Sequence, residues 1–312
     1  MKHERGLALA AFATVCIVWG TTYLAIRVAV ETIPPMLLTS MRFVVAGVVM
    51  TTIALIRGAR LPRDGRTLAN LALVGFLMIG IGNLAVVWAE QWVPSGLAAL
   101  FVATAPFWMA LLELFRTGGE RHTTRGLIGM LMGFAGVAML VTPKGAGGAY
   151  DIHFVVGALV MQVGSLAWQV GSMRSKYTLK HVAPLTSASL QMLFGGIMLG
   201  IAGVVTGEPA RLHFTPRTFA ALAYLTILGS IIAYSAYVYA LAHMPTSQSS
   251  LYAYVNPVIA VIVGWLILNE RLTWVSIAAM VVILAGVALV QTAGMRQRNL
   301  AVVPASEEKN AA

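Results

Sequence analysis

The expected fold is an all-α integral membrane protein: ten transmembrane helices arranged as two inverted five-helix repeats around a central cavity. Three observations carry it. Of 312 residues, 59% are hydrophobic and only 10% charged, against about a quarter charged in soluble proteins. The apolar residues gather into runs of roughly 17 to 25, each long enough to cross about 30 Å of hydrocarbon as a helix. Landmarks of the first half recur in the second at a nearly constant offset. A mean hydropathy of +0.82 leaves too little polar surface to solvate a globule of this size.

In chain order the runs are 7–26, 36–56, 67–88, 94–115 and 124–142, then 153–172, 185–205, 217–240, 246–268 and 273–292. The first follows Lys2 and Arg5 and could be taken for a secretory signal, but nine more spans follow, so it is read as uncleaved. Stretches such as Ala278–Val290 are apolar at every position, whereas a barrel strand would alternate. Connections of about 4 to 12 residues exclude a sizeable domain outside the bilayer. The chain therefore divides into repeats at 1–145 and 146–295 and a polar tail at 296–312 that is expected to be disordered.

A net charge of +10 could signal a nucleic-acid partner, but the basic residues sit in gaps between spans, where they orient a membrane protein. Fifteen of the 21 Lys and Arg fall on the side of the N-terminus, so both termini are expected in the cytoplasm of a multi-pass protein with no nucleic-acid partner. The single Cys16 forms no internal disulfide or cysteine metal cluster, and the scattered histidines suggest no metal; no cofactor is expected.

Setting Trp19 against Trp168 puts Gly47 on Gly196, Pro94-Ser95 on Pro245-Thr246, Pro106 on Pro257, Glu120-Arg121 on Glu270-Arg271 and Gly136-Val137 on Gly286-Val287. The offset stays between 149 and 151. Five is odd, so halves of five spans face opposite ways across the bilayer. In that architecture, rocking about a central site exposes it to each side in turn.

Trp19-Gly20-Thr21-Thr22-Tyr23, Arg42-Phe43, Val93-Pro94-Ser95-Gly96, Tyr252-Ala253-Tyr254-Val255-Asn256-Pro257 and Asn269-Glu270-Arg271 stand in an order that resembles the EamA family of the drug/metabolite transporter superfamily, over about residues 7 to 292. The resemblance implies ten helices, a central cavity and export of small metabolites across a bacterial inner membrane.

The residues themselves suggest where such a cavity lies. Pro106 and Pro257 fall inside spans four and nine, where each should bend or loosen its helix, either beside a watery cavity or for packing alone. Gln162, Ser165, Gln169 and Ser172 form one stripe on span six beside Trp168, and Gln248, Tyr252 and Asn256 one stripe on span nine. Trp19, Tyr23, Asn83, Tyr234 and Tyr237 complete the candidate substrate-binding set. These faces should converge inside the bundle, lining a pocket or gluing helices together. Amides, hydroxyls and aromatic faces suit a small amino-acid-like or amphipathic solute, bound by a monomeric carrier in the lipid bilayer.

Arg42 lies within span two and needs a partner. Glu90 is the nearest by depth, so Arg42 is expected to form a structural ion pair with it or to snorkel to the interface, or else to act as an outer gate or substrate contact. Glu90, Glu113 and His243 are expected to be solvated near span ends, leaving the energy source open between facilitated diffusion and proton exchange. Glu120-Arg121 and Glu270-Arg271 should start helices five and ten; Gly129/Gly133 and Gly196/Gly200 should pack helices. A secondary carrier leads. A channel-like pore, which usually takes rings of like groups from several subunits, is an alternative. An integral-membrane enzyme is another, but no H-E-x-x-H, G-x-S-x-G or in-span aspartate pair supplies catalytic residues. The absence of a P-loop argues against ATP hydrolysis.

Overall fold

The computed structural model describes residues 2–115, 124–140, 151–244, 252–270 and 272–301. All its regular elements are helices: α1 Lys2–Ala29, α2 Pro35–Ile56, α3 Gly65–Ala89, α4 Ser95–Val102, α5 Ala105–Phe115, α6 Thr124–Leu140, α7 Ile152–Thr178, α8 Pro184–Val205, α9 Pro216–His243, α10 Tyr252–Leu268 and α11 Trp274–Ala301. A short 3-10 turn occupies Glu208–Arg211. Among the described residues seven stretches are long and apolar enough to cross a membrane, with α4 and α5 counting as one, and α6, α10 and α11 hold shorter apolar helices. Large apolar side chains such as Ile17, Ile56, Val205 and Trp274 project outward, which lipid tolerates and water does not.

Local chemistry sets the helix starts. Pro35 and Pro184 open α2 and α8 at the first turn, where a missing N–H costs nothing. Asp64 caps α3 by accepting from the Thr67 N–H at 2.7 Å, and at the matching position Thr215 caps α9, accepting from the Thr218 N–H at 3.1 Å. Two further caps come from a distance. The Glu208 carboxylate accepts from the N–H groups of Met36 and Leu37 at the start of α2. Glu270 accepts from the Ser95 N–H and Oγ at 2.7 Å and from the Gly96 N–H at 3.0 Å, closing the first turn of α4. This corrects the expectation that Glu270 starts the tenth span: Thr273 caps α11 instead, accepting from the Ser276 N–H. A carboxylate serves whichever helix N-terminus lies within reach, and the fold brings α4 there. Glu120 lies outside the described residues.

The duplication is visible in the packing. The matched helices α2 and α8 pack on each other, as do α6 and α11. Gly47 and Gly196 make the first crossing: a Cβ on Gly47 would sit 2.8 Å from Leu193, and one on Gly196 2.9 Å from Val44. At the second, a Cβ on Gly286 would stand 2.6 Å from the Gly129 carbonyl, so the small residues serve close approach as expected. Thr32 Oγ1 donates to Thr218 Oγ1 at 3.0 Å, and the equivalent residues His181 and Thr67 meet at 3.1 Å. Thr32 precedes α2 and Thr67 follows it, so these matched contacts sit at opposite ends of that helix.

Two features escape the sequence reading. Spans three and eight each contain a π-helical segment at corresponding places, Phe76–Asn83 and Leu225–Tyr234; such segments are frequent at functional sites. The two prolines also behave differently. The fourth span breaks between Val102 and Ala105, with Pro106 in the first turn of α5, whereas α10 runs unbroken through Pro257. Proline alone removes one donor; in span four Thr104 adds a second disturbance, its Oγ1 donating to the Phe101 carbonyl at 2.7 Å. The matching residue in α10 is Val255, which cannot. At the other end of the chain α11 continues to Ala301, six residues into the stretch expected to be disordered.

Candidate functional site

Helices from both halves line a partly open cavity of about 70 Å³, smaller than the roughly 300–1,000 Å³ of typical small-molecule sites. Trp19, Thr22 and Tyr23 of α1 form one wall, Arg42 and Phe43 of α2 another. The π segment of α3 contributes Gly82 and Asn83, followed by Val86. The break between α4 and α5 is flanked by Val102 and Ala105; Ser165 and Trp168 of α7, Tyr234 of α9 and Tyr252 of α10 close the circle.

Trp19 and Trp168, equivalent residues of the two halves, meet edge to face with ring centroids 5.6 Å apart. Trp19 Nε1 donates to the Gly229 carbonyl, inside the second π segment, at 3.2 Å. Trp168 Nε1 donates to the Tyr237 hydroxyl at 3.4 Å, and Ser172 Oγ lies 3.0 Å from the same oxygen. Tyr237 also packs against Trp19 and Tyr252, with centroids at 5.0 and 5.8 Å. It stands behind the wall, not on it.

The candidate set thus divides. Trp19, Tyr23, Asn83, Ser165, Trp168, Tyr234 and Tyr252 line the cavity. Gln169 is buried and hydrogen-bonded to the Tyr252 side chain. Asn256, with its amide turned to suit its neighbours, donates to the carbonyls of Cys16 and Tyr252. Both brace a lining residue. Gln162 splints the broken span: its oxygen accepts from Thr104 Oγ1 at 2.9 Å and Trp108 Nε1 at 3.0 Å, and its nitrogen donates to the Phe101 carbonyl at 3.2 Å. Gln248 lies outside the described residues. The lining valines, glycine and alanine could not be found from a polar stripe, because nothing in their type distinguishes them from residues facing lipid.

Arg42 is only 3% exposed and is the one charged side chain among the lining residues described. Its Nε donates to Ser230 Oγ at 2.6 Å, and the guanidinium carbon stands 4.7 Å from the Phe43 ring centre. Its Nη1 has no hydrogen-bond partner, and neither has Asn83 Oδ1 nor Ser165 Oγ on the same wall. Arg42 and Glu90 share no hydrogen bond, but each acts on the other electrostatically. Glu90 is fully buried with both carboxylate oxygens unpartnered, and Arg27 donates to its backbone carbonyl. Glu90 is therefore not solvated at an interface; helix packing around the end of α3 covers it. His243, in contrast, is exposed as expected, its Nδ1 2.9 Å from the Tyr239 carbonyl. The Glu113 side chain lies outside the described residues.

The chain resembles known proteins over most of its length. The profile of the EamA-like transporter family matches residues 6–142 and 155–292. The inner membrane transporter YedA of Escherichia coli strain K12 is 37% identical over 276 residues, which cover 88% of this chain and 87% of that protein. The transporter YoaV of Bacillus subtilis strain 168 is 23% identical, covering 83% of this chain and 88% of that one. A crystal structure superposes with a TM-score of 0.69 at 22% identity, covering 93% of this chain and 98% of the other, and so supports the helical fold.

Proposed function

The chain belongs to the EamA-like transporter family, and from that premise we propose a ten-helix secondary carrier that moves small amino-acid-like or amphipathic metabolites out across a bacterial inner membrane. The two halves thread the bilayer in opposite senses and rock about the cavity, exposing it to one side and then the other. One observation carries this reading: a pocket walled by both halves and flanked by π-helical segments at matched positions. Such segments are where helices change register at little cost. Trp19, Tyr23, Asn83, Ser165, Trp168, Tyr234 and Tyr252 contact the solute; Gln169, Asn256 and Tyr237 hold those contacts in place.

Proteoliposomes containing the pure protein, preloaded with a broad metabolite panel, should release at least one solute faster than empty liposomes. Release of none would count against the carrier, and unitary currents in planar bilayers would favour a pore. For the inversion, single cysteines at the equivalent exposed positions of Arg66 and Arg217 should label from opposite membrane faces. Labelling from one face would refute it.

A further inference from the structure

We propose that Arg42 is the anchor for a carboxylate on the transported solute, which makes the substrates of this cavity small monocarboxylates with an apolar or amphipathic body. The inference rests on the carrier reading and deepens it. A guanidinium that is almost wholly buried needs an anion or a set of acceptors, because an uncompensated buried charge is costly. Arg42 has neither in full: Nε is held by the Ser230 hydroxyl, while Nη1 is buried without a partner. The nearby acids leave its hydrogen-bonding capacity unfilled, although Glu90 is close enough to act on it electrostatically. Glu208 and Glu270 cap α2 and α4, and Glu90 makes no hydrogen bond to it.

Two details make this a recognition site and not a packing accident. First, Ser230 sits in the π segment of α9, and Arg42 Nη2 is 3.0 Å from where a Cβ on Gly229 would stand. The guanidinium is thus clamped along one edge against span eight, with Nη1 left over at the cavity wall. Second, the equivalent position in the other half is Gln191, where each polar atom of the neutral amide is matched. Its nitrogen donates to Ser175 Oγ at 3.2 Å and Ser187 Oγ at 2.8 Å, and its oxygen accepts from the Tyr234 hydroxyl at 2.9 Å. The fold can therefore satisfy a polar side chain at this place, and at Arg42 it leaves a donor free. A single cation suits a monoanion; a phosphate dianion would call for more positive charge than the wall holds. Around it the aromatic faces of Trp19, Trp168 and Tyr23 receive the rest of the solute.

The test uses the full chain in lipid nanodiscs and measures thermal stabilisation by the twenty amino acids, by the same set as carboxamides, and by inorganic phosphate. The acids should bind at least tenfold more tightly than the amides, with phosphate without effect. Arg42→Gln, which installs the residue of the other half, should abolish the preference for acids, and Arg42→Lys should keep a reduced one. Amides equal to acids, an acid preference that survives Arg42→Gln, stabilisation by phosphate alone, or no response to acids would each overturn the anchor. If Arg42→Gln fails to accumulate, the acid-against-amide contrast in the unaltered chain decides alone. Liposome release of a solute without a carboxylate would remove the anchor and leave the carrier standing.

Discussion

The polar clusters on either side of the tryptophan pair occupy equivalent places in the two halves and end in opposite states. In the second half Ser172 bonds to Tyr237, and Gln191 to Tyr234, Ser175 and Ser187. In the first half the matching residues are Tyr23, Arg42, Asn83 and Val86, and all four line the cavity. Where Tyr237 fills one side of the Trp19–Trp168 contact, Val86 leaves the other side open. One duplicated frame thus yields a packed core and a hollow. Side-chain volume and hydrogen-bond matching differ between the matched positions. Arg42 Nη1 and Asn83 Oδ1 have no partner, whereas Gln191 and Tyr234 at the matching positions do.

The largest effect should come from emptying the packed copy. Tyr237→Val removes ring contacts with Trp19, Trp168 and Tyr252 as well as two hydroxyl contacts; a loss of about 2–4 kcal/mol in stability is expected. An unchanged melting temperature would show that the second cluster is not a solid core. Gln191→Leu and Asn83→Leu sharpen the contrast. The first strands three hydroxyls and should cost about 1–3 kcal/mol, whereas the second removes an acceptor that has no partner and should leave stability within about 0.5 kcal/mol. Similar losses for both would erase the distinction between the halves.

Filling the hollow copy is the converse. Val86→Tyr should lower liposome transport at least tenfold while the protein melts no earlier. Undiminished flux would mean the solute passes elsewhere. The smallest effect concerns the caps. The Thr67 N–H holds the Asp64 carboxyl below the usual carboxylate range, so this cap contributes stability above the ordinary carboxylate pKa and loses it as pH falls through the folded value. Thr215, its counterpart, does not titrate. Acidification should therefore speed hydrogen exchange at the start of α3 and leave the start of α9 unchanged; equal responses would refute the difference.

Much of this was legible beforehand for physical reasons. Apolar runs and the offset between halves are properties of local chain chemistry, and they located the helices, although α7 and α11 run on to Thr178 and Ala301. The polar stripes located faces that turn inward, since lipid forbids the alternative. A stripe says which way a side chain points but not what it meets. Gln162, Ser165 and Gln169 share one face of α7, yet the first bonds the broken span, the second lines the cavity and the third braces Tyr252. Equally, nothing near Glu270 in sequence indicates that it caps α4, and no local pattern marks the π segments, whose extra residue is accommodated by neighbouring helices.

The amino-acid sequence by itself determined a duplicated helical membrane protein with its polar residues turned inward, because hydrophobicity, helix periodicity and repetition act along the chain. Only the tertiary structure decided which inward residues meet each other and which are left facing a void. That outcome depends on side-chain volumes and donor–acceptor matches between segments from 43 to 210 residues apart, and no single segment contains them.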